Sequence, residues 1–317
     1  MVYFYQKYEP DSKPERTSVM VHSFAELEPF AVGFLNAPIG DREYRIACGM
    51  LSYAQHLPLH LKEHCTFACH VFPELGVNYT YGDGIKVTPA LLEQEILQYP
   101  EYAEELRSIR DTFIPLDTRR MISESLTQTQ RDLAAAKVCI PMGDWGGHAN
   151  PDYNMLLQLG TNGLRDKNNA FRKQNPGKDL FYDALILALD ALDILGARYR
   201  NLALEKAEIS DPEDRTRLLR IAEAFTNIPM NPPRNFFEAC QMFWLAFCFN
   251  GIDSPGRFDQ FMGPFYDNSD ETDRLLCLEA LWQLFQETRT WNLCISGSDE
   301  NGKDMTNQLS YDILKTA

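Results

Sequence analysis

The sequence lacks several features that mark common classes of protein. It has no excess of positive charge: the 317 residues carry a formal net charge of −15, which argues against nucleic acid or an anionic membrane surface as the main partner. The longest apolar run, Ala239–Phe249 interrupted by Gln241, is too short to cross a bilayer. The segment MVYFYQKYEPDSKPER has no apolar h-region. We therefore expect a cytoplasmic protein with no membrane or nucleic-acid partner.

Paired cysteine motifs are also missing. The eight cysteines are scattered, which predicts reduced thiols rather than a disulfide framework. The densest cluster is HLKEHCTFACH, in which His60 and His64 are four residues apart, as two metal ligands on one face of a helix would be, and Cys65, Cys69 and His70 follow. Because a CxxC or a matched second pair is absent, and both residue types are common in cores, we interpret the segment as packed core and expect no bound metal. The alternative, a metal-binding helical protein, could be tested by elemental analysis.

The clearest local feature is the glycine-rich stretch GDWGGHANPDYNMLLQLGTNG. Asn150 is a good N-cap and Pro151 suits a first helical position, so a loop is predicted to pass into a helix there, which Gly160 and Gly163 would end. His148 then lies at the positive end of a helix, where it could reach a small anionic or hydroxylated ligand. The alternative is a tight turn in which His148 bonds only the backbone. The fingerprint GxGxxG is absent, so we infer no nucleotide site.

Hydrophobic periodicity predicts a chain made mostly of helices. The segment at 236–250, FFEACQMFWLAFCFN, is apolar nearly all round, which indicates a buried helix, and 181–207 is the longest clear helix. Short strands are predicted at 138–142 and 291–296, and a hairpin or ordered loop within 71–86. Further helices are predicted at 44–62 (interrupted by Pro58), 89–113 (with a break at Pro100), 117–137, 212–226, 273–290 and 305–316.

Four stretches, in order, resemble the glycyl radical enzymes, the family of pyruvate formate-lyase and of the glycerol, propanediol and choline-type lyases. The first is GGHANPDYNMLLQLGTNGL, similar to the family's G-H-x-x-P-D-Y followed by a leucine- and glycine-containing helix. The second extends from FYDALILALDALDILGARYRNLALEKA to RLLRIAEAFTNIPMNPPRNFFEACQMFWLAF, the third is SPGRFDQFMGPFY, and the fourth is NLCISGSDENGKDMTNQLSYDIL. Together they span about 175 residues from residue 143 onward, whereas residues 1–140 match only loosely.

The resemblance implies a helix-rich α/β fold: a ten-stranded barrel built from two parallel half-barrels and wrapped in helices. This chain would contain about half of that barrel. Residues 1–140 would form a mostly helical region, and 141–317 the first part of the barrel domain. The resemblance also implies a lyase, dehydratase or formate acetyltransferase that acts by radical chemistry, under anaerobic conditions, on a small hydroxylated or carboxylated substrate.

The family's chemistry requires a radical. An activating enzyme that uses S-adenosylmethionine and an iron–sulfur cluster makes it at a glycine near the C-terminus, and a cysteine inside the barrel then takes a hydrogen atom from the substrate. None of the eight cysteines here stands in that cysteine-loop context, and no RVxGY-like glycine loop is present. The resemblance therefore implies an N-terminal portion with no catalytic residue and no bound cofactor, inactive alone.

This reading also predicts partners. We expect a small-molecule substrate, an activating enzyme, a second polypeptide that carries the missing half, and self-association into a homo-oligomer. The alternative is a non-catalytic remnant or interaction module of the family, because half a barrel would expose strand edges and apolar surface that favour association. A neighbouring reading frame that supplies the cysteine and glycine loops would favour the enzyme.

The resemblance places the candidate substrate-binding residues in three of the four stretches. His148 would point into the barrel and bond the substrate, as in dehydratase-like members. Asp253 and Ser254 occupy the turn that opens the third stretch, where a polar group contacts substrate in some relatives. Asn292 lies on a predicted barrel strand whose inward face the pattern does not identify. Asp152 either contacts the substrate or has a structural role.

Structural roles are predicted for the residues around these candidates. Asp152 is expected to cap the helix or to pair with Arg165. Arg257 and Asp259 are expected to form a buried ion pair that holds the turn, and such a pair survives only with good geometry. Cys294 is not expected to be the catalytic thiol, because the resemblance places a small or hydroxyl residue there.

Overall fold

The structure is a computed structural model of the chain. It describes residues 41–57, 59–69, 89–98, 100–104, 124–138, 151–250, 254–288 and 292–317, together with 30, 33, 34, 36–38, 107, 111 and 290. The predicted strand at 138–142 (apart from Val138), the predicted hairpin within 71–86, and the predicted domain boundary at 140 lie outside these residues. The division into two domains therefore stays a prediction.

The described part of the chain is built mostly of α-helices. They are α1 (Arg42–His56), α2 (Pro89–Gln98), α3 (Gln128–Ala135), α4 (Tyr153–Gln174), α5 (Asp179–Ile209), α6 (Pro212–Ala224), α7 (Phe236–Asn250), α8 (Phe258–Asp267), α9 (Glu271–Glu287) and α10 (Gln308–Thr316). A 3₁₀ turn, Pro100–Tyr102, follows α2, where the break at Pro100 was predicted. Two short strands, β1 (Gly256–Arg257) and β2 (Leu293–Cys294), complete the set.

The helix-rich α/β class is confirmed, but the expected ten-stranded barrel is not seen in the described residues. They contain one parallel pair, in which Gly256 lies opposite Leu293 and Arg257 opposite Cys294. Helices α8 and α9 connect the two strands, as parallel pairing requires. The strand predicted at 291–296 is thus shorter than expected. A parallel strand is normally hydrogen-bonded on both sides, and here each strand has one described neighbour.

The core surrounds α7, as its all-round apolar sequence predicted. Twelve of its fifteen residues are buried, and it packs against α4, α5, α6, α8 and α9. Several aromatic rings contact one another in this core, with centroids 5.3–6.1 Å apart: those of Phe243, Phe247, Phe258 and Phe285. The ring of Tyr153, at the start of α4, contacts that of Phe243. Burying side chains of this size stabilises the fold by about 2 kcal/mol each.

Helix α4 begins and ends differently from the prediction. Its N-cap is Asp152, whose carboxylate accepts the N–H of Met155, rather than Asn150. Gly160 does not end the helix but kinks it, with φ +62° and ψ 175°. The kink turns the N–H groups of Thr161 and Asn162 away from the helix and towards the carbonyls of Pro229 and Met230, at 2.9 and 3.1 Å. Because these acceptors come from a distant loop, local sequence could not reveal the continuation.

The helix predicted at 44–62 ends at His56, so the prediction is wrong for 59–62. Residues 59–69 form no helix or strand, and His64 has φ +59°, so His60 and His64 do not share a helical face. Buried backbone needs hydrogen-bond partners, and side chains from the core helices supply them. The amide of Gln241 both accepts from the N–H and donates to the carbonyl of Ala68, at 2.8 and 3.1 Å, and the indole of Trp244 donates to the carbonyl of Cys69.

The predicted Arg257–Asp259 ion pair is also wrong. Arg257 is exposed and donates to the carbonyl of Ser296 at 3.2 Å. Asp259 is fully buried at the start of α8, and its Oδ2 accepts the N–H of Ser296, at 2.7 Å, and the hydroxyl of Ser310. These hydroxyl and amide donors reach Oδ2 without a buried cation, whereas the buried Oδ1 has no hydrogen-bond partner among the described residues. Asp259 therefore links α8 by hydrogen bonds to α10 and to the segment that follows β2.

Other boundaries differ less. Helices α5, α6 and α9 confirm the predictions at 181–207, 212–226 and 273–290 within three residues. Helix α10 starts at Gln308 rather than 305, because Asn307 and Ser310 form a capping box. Helix α3 covers only the later part of 117–137, since Thr127 caps it. Among the described residues, no helix is long and apolar enough to span a bilayer.

Replacing Gly160 by alanine should destabilise the protein strongly. A Cβ there would lie 2.7 Å from the Cα of Asn231 and closer still to the carbonyl oxygen of Met230, and the positive φ adds strain. We expect Gly160→Ala to lower the free energy of unfolding in urea by about 3 kcal/mol. Gly177→Ala is the matched control, because its φ is +88° but nothing lies within 4 Å. It should cost only about 1 kcal/mol, and equal losses in both variants would contradict the kink.

Asp259→Ala tests the junction of α8, β2 and α10. It leaves the partly buried N–H of Ser296 without its acceptor and leaves the Ser310 hydroxyl with only the more distant Asn307 Oδ1, at 3.2 Å. We expect a loss of about 2 to 4 kcal/mol in the free energy of unfolding, measured by urea titration. Asp267→Ala, at the exposed end of the same helix, should change it by less than about 0.5 kcal/mol. A small effect at Asp259 would show that the junction is not held by this carboxylate.

Candidate functional site

The five candidate site residues divide into two groups. His148 and Asp253 lie outside the described residues, so the structure neither supports nor corrects them. Asp152, Ser254 and Asn292 are described. The structure brings Ser254 and Asn292 together at the strand pair, and it places Asp152 at the start of α4.

Ser254 and Asn292 meet immediately before β1 and β2. The hydroxyl of Ser254 donates to the backbone carbonyl of Asn292, at 2.5 Å, and accepts the N–H of Gly256, at 3.2 Å. This hydroxyl thus links the two chain segments that enter the parallel pair. A serine hydroxyl has two acceptor lone pairs, so one remains for a further donor.

The alternation along β2 identifies its open face. Leu293 and Ile295 pack against the hydrophobic core, whereas Asn292 and Cys294 are exposed. Successive side chains of a strand point to opposite faces, so Asn292 and Cys294 point away from the helical core. Arg257 is also exposed and lies opposite Cys294 in the pair. The open face therefore carries an amide, a thiol and a guanidinium, a set of polar groups that sequence periodicity could not assign to one side.

Asp152 caps α4, which confirms one of the two structural roles predicted for it. The alternative prediction, an ion pair with Arg165, is wrong. Arg165 instead donates to Asp190 and Asp193 on α5, both at 2.6 Å. Arg165 follows the kink at Gly160, so its side chain faces α5 rather than the start of α4. The exposed Asp152 carboxylate is left with the Met155 N–H as its described hydrogen-bond donor.

Asp152 also lines a cavity that the sequence did not predict. The cavity has a volume of about 500 Å³ and lies between α1, α4, α5 and the end of α7. Its other polar lining groups include the amide of Asn250, the last residue of α7. Asn250 is four residues from Ser254, so their Cα atoms are at most about 14 Å apart.

A metal site is not formed by the described residues. Among them, no group of three or more histidine, cysteine, aspartate or glutamate side chains is arranged to hold an ion. His70, part of the sequence cluster considered above, lies outside the described set.

The described cysteines differ in their access to solvent. Cys69, Cys240, Cys248 and Cys277 are buried, and Cys294 is exposed. Burial raises the pKa of the Cys240 thiol well above its usual value and that of Cys277 to about 12, which disfavours the reactive thiolate. Of the described thiols, Cys294 alone is exposed and lies on the open face beside the candidate site.

Sequence comparisons match most of the chain to one family. The pyruvate formate lyase-like family model matches residues 61–317, a longer match than the resemblance from residue 143 onward. Isethionate sulfite-lyase of Desulfovibrio desulfuricans is 30% identical in an alignment of length 204 that covers 52% of this chain and 24% of that protein. Trans-4-hydroxy-L-proline dehydratase of Clostridioides difficile is 32% identical in an alignment of length 165 that covers 42% of this chain and 21% of that protein.

Solved structures share the fold. The glycerol-bound B12-independent glycerol dehydratase from Clostridium butyricum superposes with a TM-score of 0.75 at 19% identity, covering 91% of this chain and 42% of that chain. A glycyl radical enzyme from Archaeoglobus fulgidus gives a TM-score of 0.68 at 20% identity, covering 91% of this chain and 43% of that one. The chain thus spans less than half the length of these solved relatives. With a family model that matches residues 61–317, the chain belongs to the pyruvate formate lyase-like family, the glycyl radical enzymes.

Proposed function

We propose that this chain supplies part of the substrate-binding half of a glycyl radical lyase or dehydratase. The substrate would be a small hydroxylated or carboxylated molecule. The observation that carries the proposal is the open face of the β1–β2 pair, which presents Asn292 next to the turn at Ser254 while the opposite face packs on the core. The names of the relatives, a sulfite-lyase and a dehydratase among them, support the reaction class.

The proposed roles follow from the chemistry of each side chain. His148 would hydrogen-bond a substrate hydroxyl or transfer a proton to it, since histidine titrates near neutral pH. Ser254 has a lone pair available for a substrate donor, and Asn292 offers both a donor and an acceptor. Asp253 and Asp152 would accept hydrogen bonds from hydroxyl groups. Each of these residues binds or orients substrate rather than breaking a bond in it.

The radical chemistry would come from outside this chain. In this family, a glycyl radical installed by an S-adenosylmethionine-dependent iron–sulfur activating enzyme supplies hydrogen-atom abstraction through a cysteine. The buried thiols of Cys69, Cys240, Cys248 and Cys277 have no access to a substrate, and the resemblance does not place the reactive cysteine at Cys294. We therefore propose that a separate or continuing polypeptide supplies the cysteine and the glycine, and that the chain alone is inactive.

An exposed apolar surface supports a partner for this chain. On α10, Tyr311 is 55% exposed and Leu314 is 66% exposed, and residues three apart lie on the same side of a helix. Leu276 on the neighbouring α9 is also exposed. The same surface suits the second candidate function, a non-catalytic interaction module, and it would also suit self-association.

The native assembly separates these candidates. We expect the chain purified from its own host to form, by light scattering, a discrete complex with a second polypeptide of several hundred residues. Leu314→Asp should abolish that complex, because it puts a charge into the apolar surface. Ile209→Asp is the matched control, since Ile209 is 88% exposed on a different helix, and it should leave the complex intact.

Radical formation gives the second readout of the same experiment. Incubated with the reduced activating enzyme and S-adenosylmethionine, the complex should give an organic radical signal in electron paramagnetic resonance, and the isolated chain should give none. A radical in the isolated chain would contradict the division of roles. A chain of 317 residues that purifies alone or as a homo-oligomer, with no second polypeptide, would contradict the enzyme proposal and favour the interaction module.

A further inference from the structure

The cavity beside Asp152 is larger and more apolar than a small polyol needs. We propose that it binds an amphipathic small molecule: an apolar body about the size of a substituted benzene ring, with one hydroxyl or ammonium group directed to Asp152. This inference rests on the proposed function, in which Asp152 is a candidate substrate-binding residue. It adds the chemical class of that substrate.

The walls of the cavity are hydrophobic. Apolar side chains come from α1, α4, α5 and α7 and from one residue before α1. They include Phe30, Ile46, Met50, Leu156, Leu192 and Phe249. The volume of about 500 Å³ falls within the range of about 300–1,000 Å³ that small-molecule sites occupy. A purely polar ligand would lose its hydration against such walls without regaining hydrogen bonds. The walls therefore favour a ligand with an apolar body.

Few polar groups line the cavity. Of the described lining side chains, Asp152 alone is charged, Asn250 contributes an amide and Tyr53 a phenol hydroxyl. One carboxylate oxygen of Asp152 accepts the Met155 N–H that begins α4, which orients the group, and the other is available to a ligand. A carboxylate accepts hydrogen bonds and repels anions. The bound group must therefore be a donor, so a hydroxyl or an ammonium fits and a carboxylate does not.

Three probes with one phenyl ring test this inference: 2-phenylethylamine, 2-phenylethanol and phenylacetate. Binding to the purified chain is measured by isothermal titration calorimetry and by ligand-observed NMR. We expect one site per chain for the amine and the alcohol. Phenylacetate should bind at least about 10-fold more weakly than the amine, because its charge has the same sign as that of Asp152.

One matched pair of variants and one single substitution locate the site. Ala188→Phe fills the cavity from α5 and should abolish binding of the alcohol, whereas Ala197→Phe, at an exposed position of the same helix, should leave it unchanged. Asp152→Asn keeps an N-cap side chain and so preserves α4. It should weaken the amine about 5-fold, as expected for an exposed charge, and the alcohol by less than the amine, because asparagine still hydrogen-bonds a hydroxyl but carries no charge.

The outcomes separate this inference from the proposed function. Thermal unfolding checks that each variant folds. If Ala188→Phe does not fold, the effect of Asp152→Asn on the binding of the amine tests the inference. Absence of binding by all three probes, equal binding of amine and phenylacetate, or an effect of Asp152→Asn on the alcohol equal to that on the amine would overturn the inference. Binding that persists when no partner polypeptide is found would contradict the proposed function alone.

Discussion

The burial of α7 is the interaction on which the rest of the structure depends. Its side chains are apolar nearly all round, so the helix is stable only when other helices surround it. Helices α4, α5, α6, α8 and α9 contact it. At about 2 kcal/mol for each large side chain removed from water, this contact dominates the stability of the fold. The end of α7, Asn250, then determines where the turn at Ser254 and the cavity lie.

A second constraint is the need to satisfy buried backbone outside the helices. Gln241 and Trp244 project from α7 and hydrogen-bond the irregular segment before residue 70. Asp259 accepts donors from the end of β2 and from α10. In both places buried side chains of a core helix hydrogen-bond a neighbouring segment of the chain. The strand pair carries the candidate site because such contacts hold its ends.

The helices were predictable where burial and periodicity agree. Helices α5 and α7 follow directly from their apolar patterns, and Asp211 and Pro212 mark the start of α6 in a way that needs no distant partner. The predicted helix ends were wrong where residues distant in the sequence supply the hydrogen-bond partners. Gly160 ends a helix by local rules, yet the carbonyls of Pro229 and Met230 accept the released N–H groups and the helix continues.

The sequence by itself determined the family, the helical content and the identity of the buried helix, because motifs and periodicity are local properties of the chain. It also placed Ser254 and Asn292 among the candidate residues. Only the tertiary structure decided which side chains share a face, since that depends on how strands pair and helices pack. The open face with Asn292 and Cys294, the solvent position of Arg257, and the cavity at Asp152 all arise from contacts between residues far apart in the sequence.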